Sequence, residues 1–147
     1  MLELTTYTEL EIAHRLQTAY TSRCKHLHGH RYEVEITVSS KTGQLNGDCM
    51  VVDFKKLKEI VKKVLDDKWD HSTCLREDDP LAPCIENDEE HIKQGRVHIV
   101  GVNPTLEWMV GHWAESLQQE FENEHLGIKK HRAGDGDELA LALGDVH

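Results

Sequence analysis

Three histidines in the first thirty residues could bind a metal ion. His28 and His30 are separated only by Gly29, so in an extended segment their side chains point to the same side. His14 ends an alternating segment and could supply a third imidazole. Three histidines with an open fourth position are typical of catalytic zinc, although imidazole also binds copper, nickel and iron. We favour zinc because nothing in the sequence indicates redox chemistry; histidines that bind no metal are the alternative.

Two further groups could move protons. Cys24 lies four residues before His28, and a thiol beside a metal and imidazoles could act as a base. A small buried residue is the alternative for this cysteine. Asp70 directly precedes His71, and a carboxylate beside an imidazole can fix its tautomer or relay a proton. An ordinary loop histidine is the alternative there.

Alternating side chains predict the strands that would carry the histidines. Residues 2–14 and 30–38 both alternate with a period of two, which is typical of half-buried strands. Asn46-Gly47 is a hairpin signal, so Cys49–Asp53 is expected to pair back as a short strand. Val97–Val100 suggests one more short strand.

Apolar residues at helical spacing predict two helices. The first covers residues 54–67 with Asp53 as its N-cap, and the second follows Asn103-Pro104-Thr105 and continues to Phe121. Residues 72–95 are expected to form a loop, and the tail after Gly134 is either a strand or frayed. Strands joined by a hairpin favour antiparallel pairing. We therefore predict an α+β fold, an antiparallel sheet with two helices packed on one face.

Composition limits the class of protein. The chain has 147 residues, which predicts a single domain over residues 1–147. Its 27 acidic and 17 basic residues give a net charge of −10, so we expect neither nucleic acid nor a membrane as a partner. The first residues lack the pattern of a secretory signal. The four cysteines include no C-x-x-C pair, so reduced thiols and a cytoplasmic location are expected.

Several short motifs occur together along residues 2–126. They are Ile12-Ala-His14-Arg-Leu, Cys24-x3-His28-Gly-His30, Val52-Asp-Phe54-x2-Leu57, Trp69-Asp70-His71 and Asn103-Pro-Thr-x-Glu107. In order and spacing this set resembles the 6-pyruvoyl-tetrahydropterin synthase family. The three residues between Cys24 and His28 resemble its bacterial type, 6-carboxy-5,6,7,8-tetrahydropterin synthase.

The resemblance implies a zinc-dependent lyase. Its substrate would be 7,8-dihydroneopterin triphosphate, and its products 6-carboxy-5,6,7,8-tetrahydropterin, acetaldehyde and triphosphate, on the route to the deazaguanine of queuosine. It further implies the tunnelling fold, with subunits assembled around barrels, commonly as hexamers, and active sites between subunits. The residues and roles that it implies are zinc binding by His14, His28 and His30, a general base at Cys24, and a proton relay at Asp70 and His71.

The C-terminal part departs from the family pattern. The family ends with a strand carrying Glu-Thr, whose glutamate anchors the pterin, and no Glu-Thr follows the second helix here. Glu138 is the nearest candidate by position, while Glu107 is expected to support the pocket. Candidate cations for the triphosphate are Arg15, Arg23, Lys25 and His26. A 6-pyruvoyltetrahydropterin synthase and a non-catalytic metal-binding or pterin-binding protein of this fold remain alternatives.

Overall fold

A computed structural model describes residues 2–18, 23–130 and 143–145 of the chain. Its strands are β1 (Glu3–His14), β2 (His28–Ser40), β3 (Ser72–Arg76), β4 (Val97–Val100), β5 (Ile128–Lys130) and β6 (Leu143–Asp145). Its helices are α1 (Phe54–Val61), α2 (Asp67–Trp69), α3 (Ala82–Glu86), α4 (Glu89–Lys93) and α5 (Leu106–Asn123). A π-helical turn, Lys62–Asp66, joins α1 to α2, and Arg23–Lys25 forms a single 3-10 turn. The predicted anchor Glu138 lies outside the described residues.

The described strands form one mixed sheet in the order β4-β3-β1-β2-β5, with β6 also paired to β2. The long pair β1–β2 is antiparallel, as predicted. The expectation of a wholly antiparallel sheet is wrong, however, because β3 runs parallel to both β1 and β4. Parallel neighbours need a crossover connection, and the chain supplies α1 with α2 before β3, and α3 with α4 after it.

The two long helical segments cover one face of the sheet. Because side chains alternate along a strand, β1 and β2 each send every second residue to this face. Buried members from both strands include Leu10, Ile12, Val34 and Ile36. They pack against apolar residues of the helical layer, namely Leu57, Ile60, Val61, Val64, Leu65, Met109, Trp113, Leu117 and Phe121. The opposite face of the sheet is called here the open face.

Local sequence explains where the helices begin. The side chain of Asp53 accepts hydrogen bonds from the backbone N–H groups of Lys55 (2.9 Å) and Lys56 (3.3 Å), as the predicted N-cap should. Thr105 caps α5 in the same way through Trp108 N–H at 3.2 Å. Both predicted helices are therefore confirmed.

Two local predictions are wrong. Cys49–Asp53 forms no strand, because the Asn46 side chain accepts hydrogen bonds from Asp48 N–H (2.9 Å) and Met50 N–H (3.1 Å) and closes a tight turn. The expected loop over residues 72–95 contains β3, α3 and α4. These elements have five residues each, too few to show a periodic pattern.

Within the part of the chain that the structure describes, no helix is both long enough and apolar enough to cross a membrane.

Candidate active site

The three predicted metal ligands come together where β1 and β2 meet at one end of the hairpin. In the strand register, His14 lies opposite His28 and Ile12 lies opposite His30, so all three histidines project to the helix-covered face. Their ring centroids are 4.6 Å apart for His14 and His28, 5.3 Å for His14 and His30, and 4.9 Å for His28 and His30. One potential ligand nitrogen from each ring lies within 4.8 Å of the other two.

Hydrogen bonds orient two of these rings as metal ligands. His14 Nδ1 lies 2.8 Å from the carbonyl oxygen of Pro104, and His28 Nδ1 lies 2.7 Å from that of His26. A carbonyl only accepts, so each Nδ1 carries a proton, and in the neutral ring Nε2 is then the nitrogen that can bind a metal. Metal-binding histidines are typically held in this way. Burial lowers the pKa of His14, which favours the neutral ligand form. The cluster therefore fits a metal ion bound by three imidazoles.

A cavity of about 240 Å³ adjoins the three histidines. Cys24 lines it from the 3-10 turn, where the Cys24 carbonyl accepts a hydrogen bond of 2.7 Å from Leu16 N–H just after β1. Glu107 lines it from the first turn of α5, next to the cap residue Thr105. The predicted base and the predicted supporting glutamate thus share one cavity with the metal cluster.

Tyr32 also lines this cavity, although none of the sequence motifs includes it. Tyr32 follows His28 and His30 at a spacing of two on β2, so it faces the same cavity, and its ring centroid lies 5.5 Å from that of His30. That spacing is the signal in the sequence that could have indicated it. In the structure Tyr32 is 3% exposed.

Asp70 and His71, called here the dyad, lie on the other side of the sheet. His71 Nδ1 is 3.0 Å from Asp70 Oδ2, which confirms contact between the predicted pair. Asp70 Oδ1 accepts a hydrogen bond of 2.9 Å from Glu11 N–H, and the Glu11 side chain alternates with buried Ile12 and so points to the open face. Within one chain, the dyad and the histidine cluster therefore occupy opposite faces of the sheet.

A shallow groove of about 700 Å³ surrounds His71 on the open face. Small residues form part of its wall, since Ala13 and Gly29 lie opposite each other in the register. Its charged residues include Glu11 and Arg31, which sequence analysis did not single out. The two are cross-strand partners, with Arg31 Nη2 2.6 Å from Glu11 Oε1. His30 borders both this groove and the metal-site cavity.

The predicted triphosphate cations differ in their availability. The Arg15 guanidinium makes a two-pronged ion pair with Asp79, with Nε 2.6 Å from Oδ2 and Nη2 contacting Oδ1. The Asp79 side chain is 1% exposed, so Arg15 is needed to balance a buried charge. Arg23, Lys25 and His26 are exposed in and beside the turn that carries Cys24. Arg15 is therefore already engaged by a carboxylate, whereas the other three candidates lie on the surface.

Burial distinguishes Cys74 from Cys24. Cys74 lies on β3, is fully buried, and its burial raises the pKa of the thiol to about 12. A thiol with that pKa stays protonated near neutral pH and cannot serve as a base. Cys24 is half-buried and lines the cavity, so it remains the cysteine placed for chemistry.

Known proteins are similar to this chain in sequence and in fold. The sequence profile of the family described as 6-pyruvoyl tetrahydropterin synthase matches residues 3–136. A 6-carboxy-5,6,7,8-tetrahydropterin synthase from Rickettsia felis is 34% identical over 114 residues, covering 76% of this chain and 77% of that protein.

Solved structures support the same assignment at the level of the fold. An uncharacterized protein from Wolinella succinogenes superposes with a TM-score of 0.70 at 18% identity, covering 99% of this chain and 98% of that chain. A 6-pyruvoyl tetrahydropterin synthase from Plasmodium vivax gives 0.62 at 19% identity, with the same coverage. These likenesses confirm the predicted tunnelling fold. With the profile match over most of its length, the chain belongs to the 6-pyruvoyl tetrahydropterin synthase family.

Proposed function

We propose that this protein is a zinc-dependent lyase acting on 7,8-dihydroneopterin triphosphate, with 6-carboxy-5,6,7,8-tetrahydropterin, acetaldehyde and triphosphate as products. The observation that carries the proposal is the cluster of His14, His28 and His30 with Cys24 on the same cavity. The name of the Rickettsia felis relative supports the carboxy product, as does the spacing from Cys24 to His28. Queuosine biosynthesis is the proposed pathway and the cytoplasm the proposed location.

The residues that line the cavity have different roles in the proposed reaction. A zinc ion bound by the three histidines would supply Lewis acidity toward the hydroxyl oxygens of the substrate side chain. Cys24 would take a proton from the carbon skeleton, and Glu107 would orient polar groups at the mouth of the cavity. Arg23, Lys25 and His26 would attract the triphosphate, because they are exposed cations or potential cations beside Cys24.

The dyad requires a second subunit in this proposal. Asp70 and His71 face the open side of the sheet, whereas the metal histidines face the helices. We therefore propose a homo-oligomer, a hexamer in the simplest case, in which the dyad of one subunit relays protons at the metal cavity of another. Glu138 stays the proposed pterin anchor, within one domain spanning residues 1–147.

The decisive experiment incubates zinc-loaded protein with 7,8-dihydroneopterin triphosphate and identifies the products. Turnover to the carboxy product and acetaldehyde is expected, with a loss of at least about 100-fold in Cys24→Ala, which removes the base. The matched control is Cys84→Ala, which removes an exposed cysteine on α3 that does not line the cavity. Equal activity in Cys24→Ala and wild type would exclude the assigned base.

Product and metal analysis separate the alternatives. A 6-pyruvoyl product would replace the carboxy assignment, and bound zinc without turnover would identify a binding protein. Metal analysis of wild type is expected to give about one zinc per chain, and His14→Ala should lose it, because structural and catalytic zinc sites need at least three protein ligands. Unchanged zinc content in His14→Ala would reject the three-histidine site.

A further inference from the structure

The imidazole of His71 has a carboxylate oxygen near each of its two nitrogens. Its Nδ1 lies 3.0 Å from Asp70 Oδ2, and its Nε2 lies 3.3 Å from Glu11 Oε2. The side chain of His71 is 68% exposed, so little packing limits its rotation. Contacts at opposite edges of the ring are therefore what fixes its plane.

The backbone of Glu11 separately fixes the dyad. Glu11 N–H donates to Asp70 Oδ1 at 2.9 Å, and the Glu11 carbonyl accepts from His71 N–H at 2.7 Å. His71 has a φ of 60°, a left-handed conformation that a non-glycine residue keeps only when its surroundings impose it. These backbone bonds do not depend on the Glu11 side chain. A side-chain substitution at position 11 thus tests the contact to the ring while preserving the turn.

Arg31 holds the carboxylate of Glu11 in place. Arg31 Nε and Nη2 lie 3.0 Å and 2.6 Å from Glu11 Oε1, which leaves Oε2 directed at His71. A single exposed ion-pair contact restrains a side chain only weakly. Here two nitrogens of one guanidinium contact the same oxygen of Glu11, which restrains its carboxylate more than one contact would. The resulting chain of contacts runs from Arg31 through Glu11 and His71 to Asp70.

We propose that Glu11 is a positioning residue for His71, and that Arg31 in turn positions Glu11. Glu11 acts through the imidazole: it contacts the edge opposite Asp70 and so limits the rotation of the ring. The proposal rests on the proposed function, in which His71 relays protons. It assigns a role to two residues on the open face that the metal site does not use.

The test compares Glu11→Gln, Arg31→Gln and the matched control Glu35→Gln. The control removes a glutamate from the same face of β2, opposite Tyr7 and away from the dyad. For Glu11→Gln we expect kcat to fall roughly tenfold while KM changes less than about threefold, as for other carboxylates that orient an active imidazole. Arg31→Gln should also lower kcat, by a smaller factor than Glu11→Gln. Glu35→Gln should leave kcat unchanged.

Imidazole nitrogen NMR supplies a readout that does not require turnover. The ring ¹⁵N resonances of His71, assigned by their absence in His71→Asn, are expected to shift in Glu11→Gln and stay unchanged in Glu35→Gln. A side chain that only stabilises the fold would lower the melting temperature without shifting those resonances. Unshifted His71 resonances in Glu11→Gln would overturn the proposal.

The two measurements separate this proposal from the function on which it rests. If wild type turns over substrate and Glu11→Gln keeps full kcat, the positioning role is rejected and the lyase assignment stands. If wild type shows no turnover, the lyase assignment fails, and the His71 resonances still decide whether Glu11 orients the ring.

Discussion

The pKa values of Asp79 and Asp66 shift in opposite directions, although burial acts to raise both, because Asp79 has a guanidinium beside it. The hydrogen bonds and charge of Arg15 hold the pKa of Asp79 below its ordinary value. Burial raises the pKa of Asp66, and the hydrogen bond from Thr8 (2.5 Å) only partly offsets this effect. The two carboxylates therefore contribute to stability with opposite dependence on pH.

Replacing Asp79 should destabilise the fold. In Asp79→Asn the Arg15 guanidinium keeps its charge but loses its partner, and we expect the free energy of unfolding to fall by about 3 kcal/mol. Urea unfolding at pH 7 measures this change. The control is Asp78→Asn, whose carboxylate is exposed and pairs with Arg76 at 3.1 Å, and it should change the free energy by less than about 0.5 kcal/mol.

The stabilisation that the Arg15–Asp79 ion pair gives should decrease as the pH falls. Because the folded-state pKa of Asp79 is lowered, its stabilising effect is complete above the ordinary aspartate pKa of about 4. The effect is lost as the pH falls through the lower folded-state value. The difference in the free energy of unfolding between wild type and Asp79→Asn should therefore become smaller at acidic pH. A constant difference down to pH 2 would contradict the assigned ion pair.

Single residues also show which parts of the site could be predicted from the sequence and which could not. His14, His28 and His30 were found because they share strand parity, which spacing along the chain reveals. The ion pair of Arg15 with Asp79 could not be predicted, because the two residues are 64 positions apart and no local pattern connects them. Glu11 escaped notice for the same reason, since its contact to His71 depends on the fold.

Among the elements, length decided what could be predicted. β1 has 12 residues and α5 has 18, enough for several periods of the apolar pattern. β3 has only five residues, four of them buried, and such a run has no alternation to detect. The π-helical turn Lys62–Asp66 also left no signal, because its residues continue the apolar spacing of α1.

The π-helical turn brings Asp66 against β1, and removing its charge should stabilise the protein. A raised folded-state pKa means that ionised Asp66 costs stability once the pH rises above its ordinary value. Asp66→Asn keeps an oxygen to accept the Thr8 hydrogen bond and should raise the free energy of unfolding at pH 7 by less than about 1 kcal/mol. Urea unfolding of wild type and Asp66→Asn at pH 7 and at pH 3 measures this difference in the free energy of unfolding. The difference should disappear at pH 3. Destabilisation of equal size at both values would contradict this account.

For the whole molecule, the family resemblance predicted more of the architecture than the hydrophobic patterns of single elements did. Alternation along the strands and apolar residues at helical spacing predicted an α+β sheet with helices on one face, and both features are present. The parallel pairing of β3 with β1 depends on the path of the crossover, which no local signal records. The separation of the dyad from the metal histidines likewise emerges only when β1 and β2 are paired.

This separation predicts complementation between inactive variants. Cys24→Ala retains the dyad and His71→Asn retains the cavity, so mixed oligomers of the two should contain complete sites between subunits. Random co-assembly of equal amounts should restore about a quarter of the wild-type activity, the fraction of sites with both intact contributions. The measurement is turnover after co-expression, with each variant alone as the control. Activity no higher than that of the separate variants would exclude a shared site.

The placement of the dyad and the metal histidines on opposite faces has a consequence for how activity depends on concentration. In the proposed arrangement an isolated subunit holds every group that the chemistry uses, yet it cannot bring them to one substrate. Turnover per subunit then follows mass action: it falls on dilution below the dissociation constant of the assembly and recovers on concentration. In this arrangement a newly made chain would be inactive until it assembles with its copies.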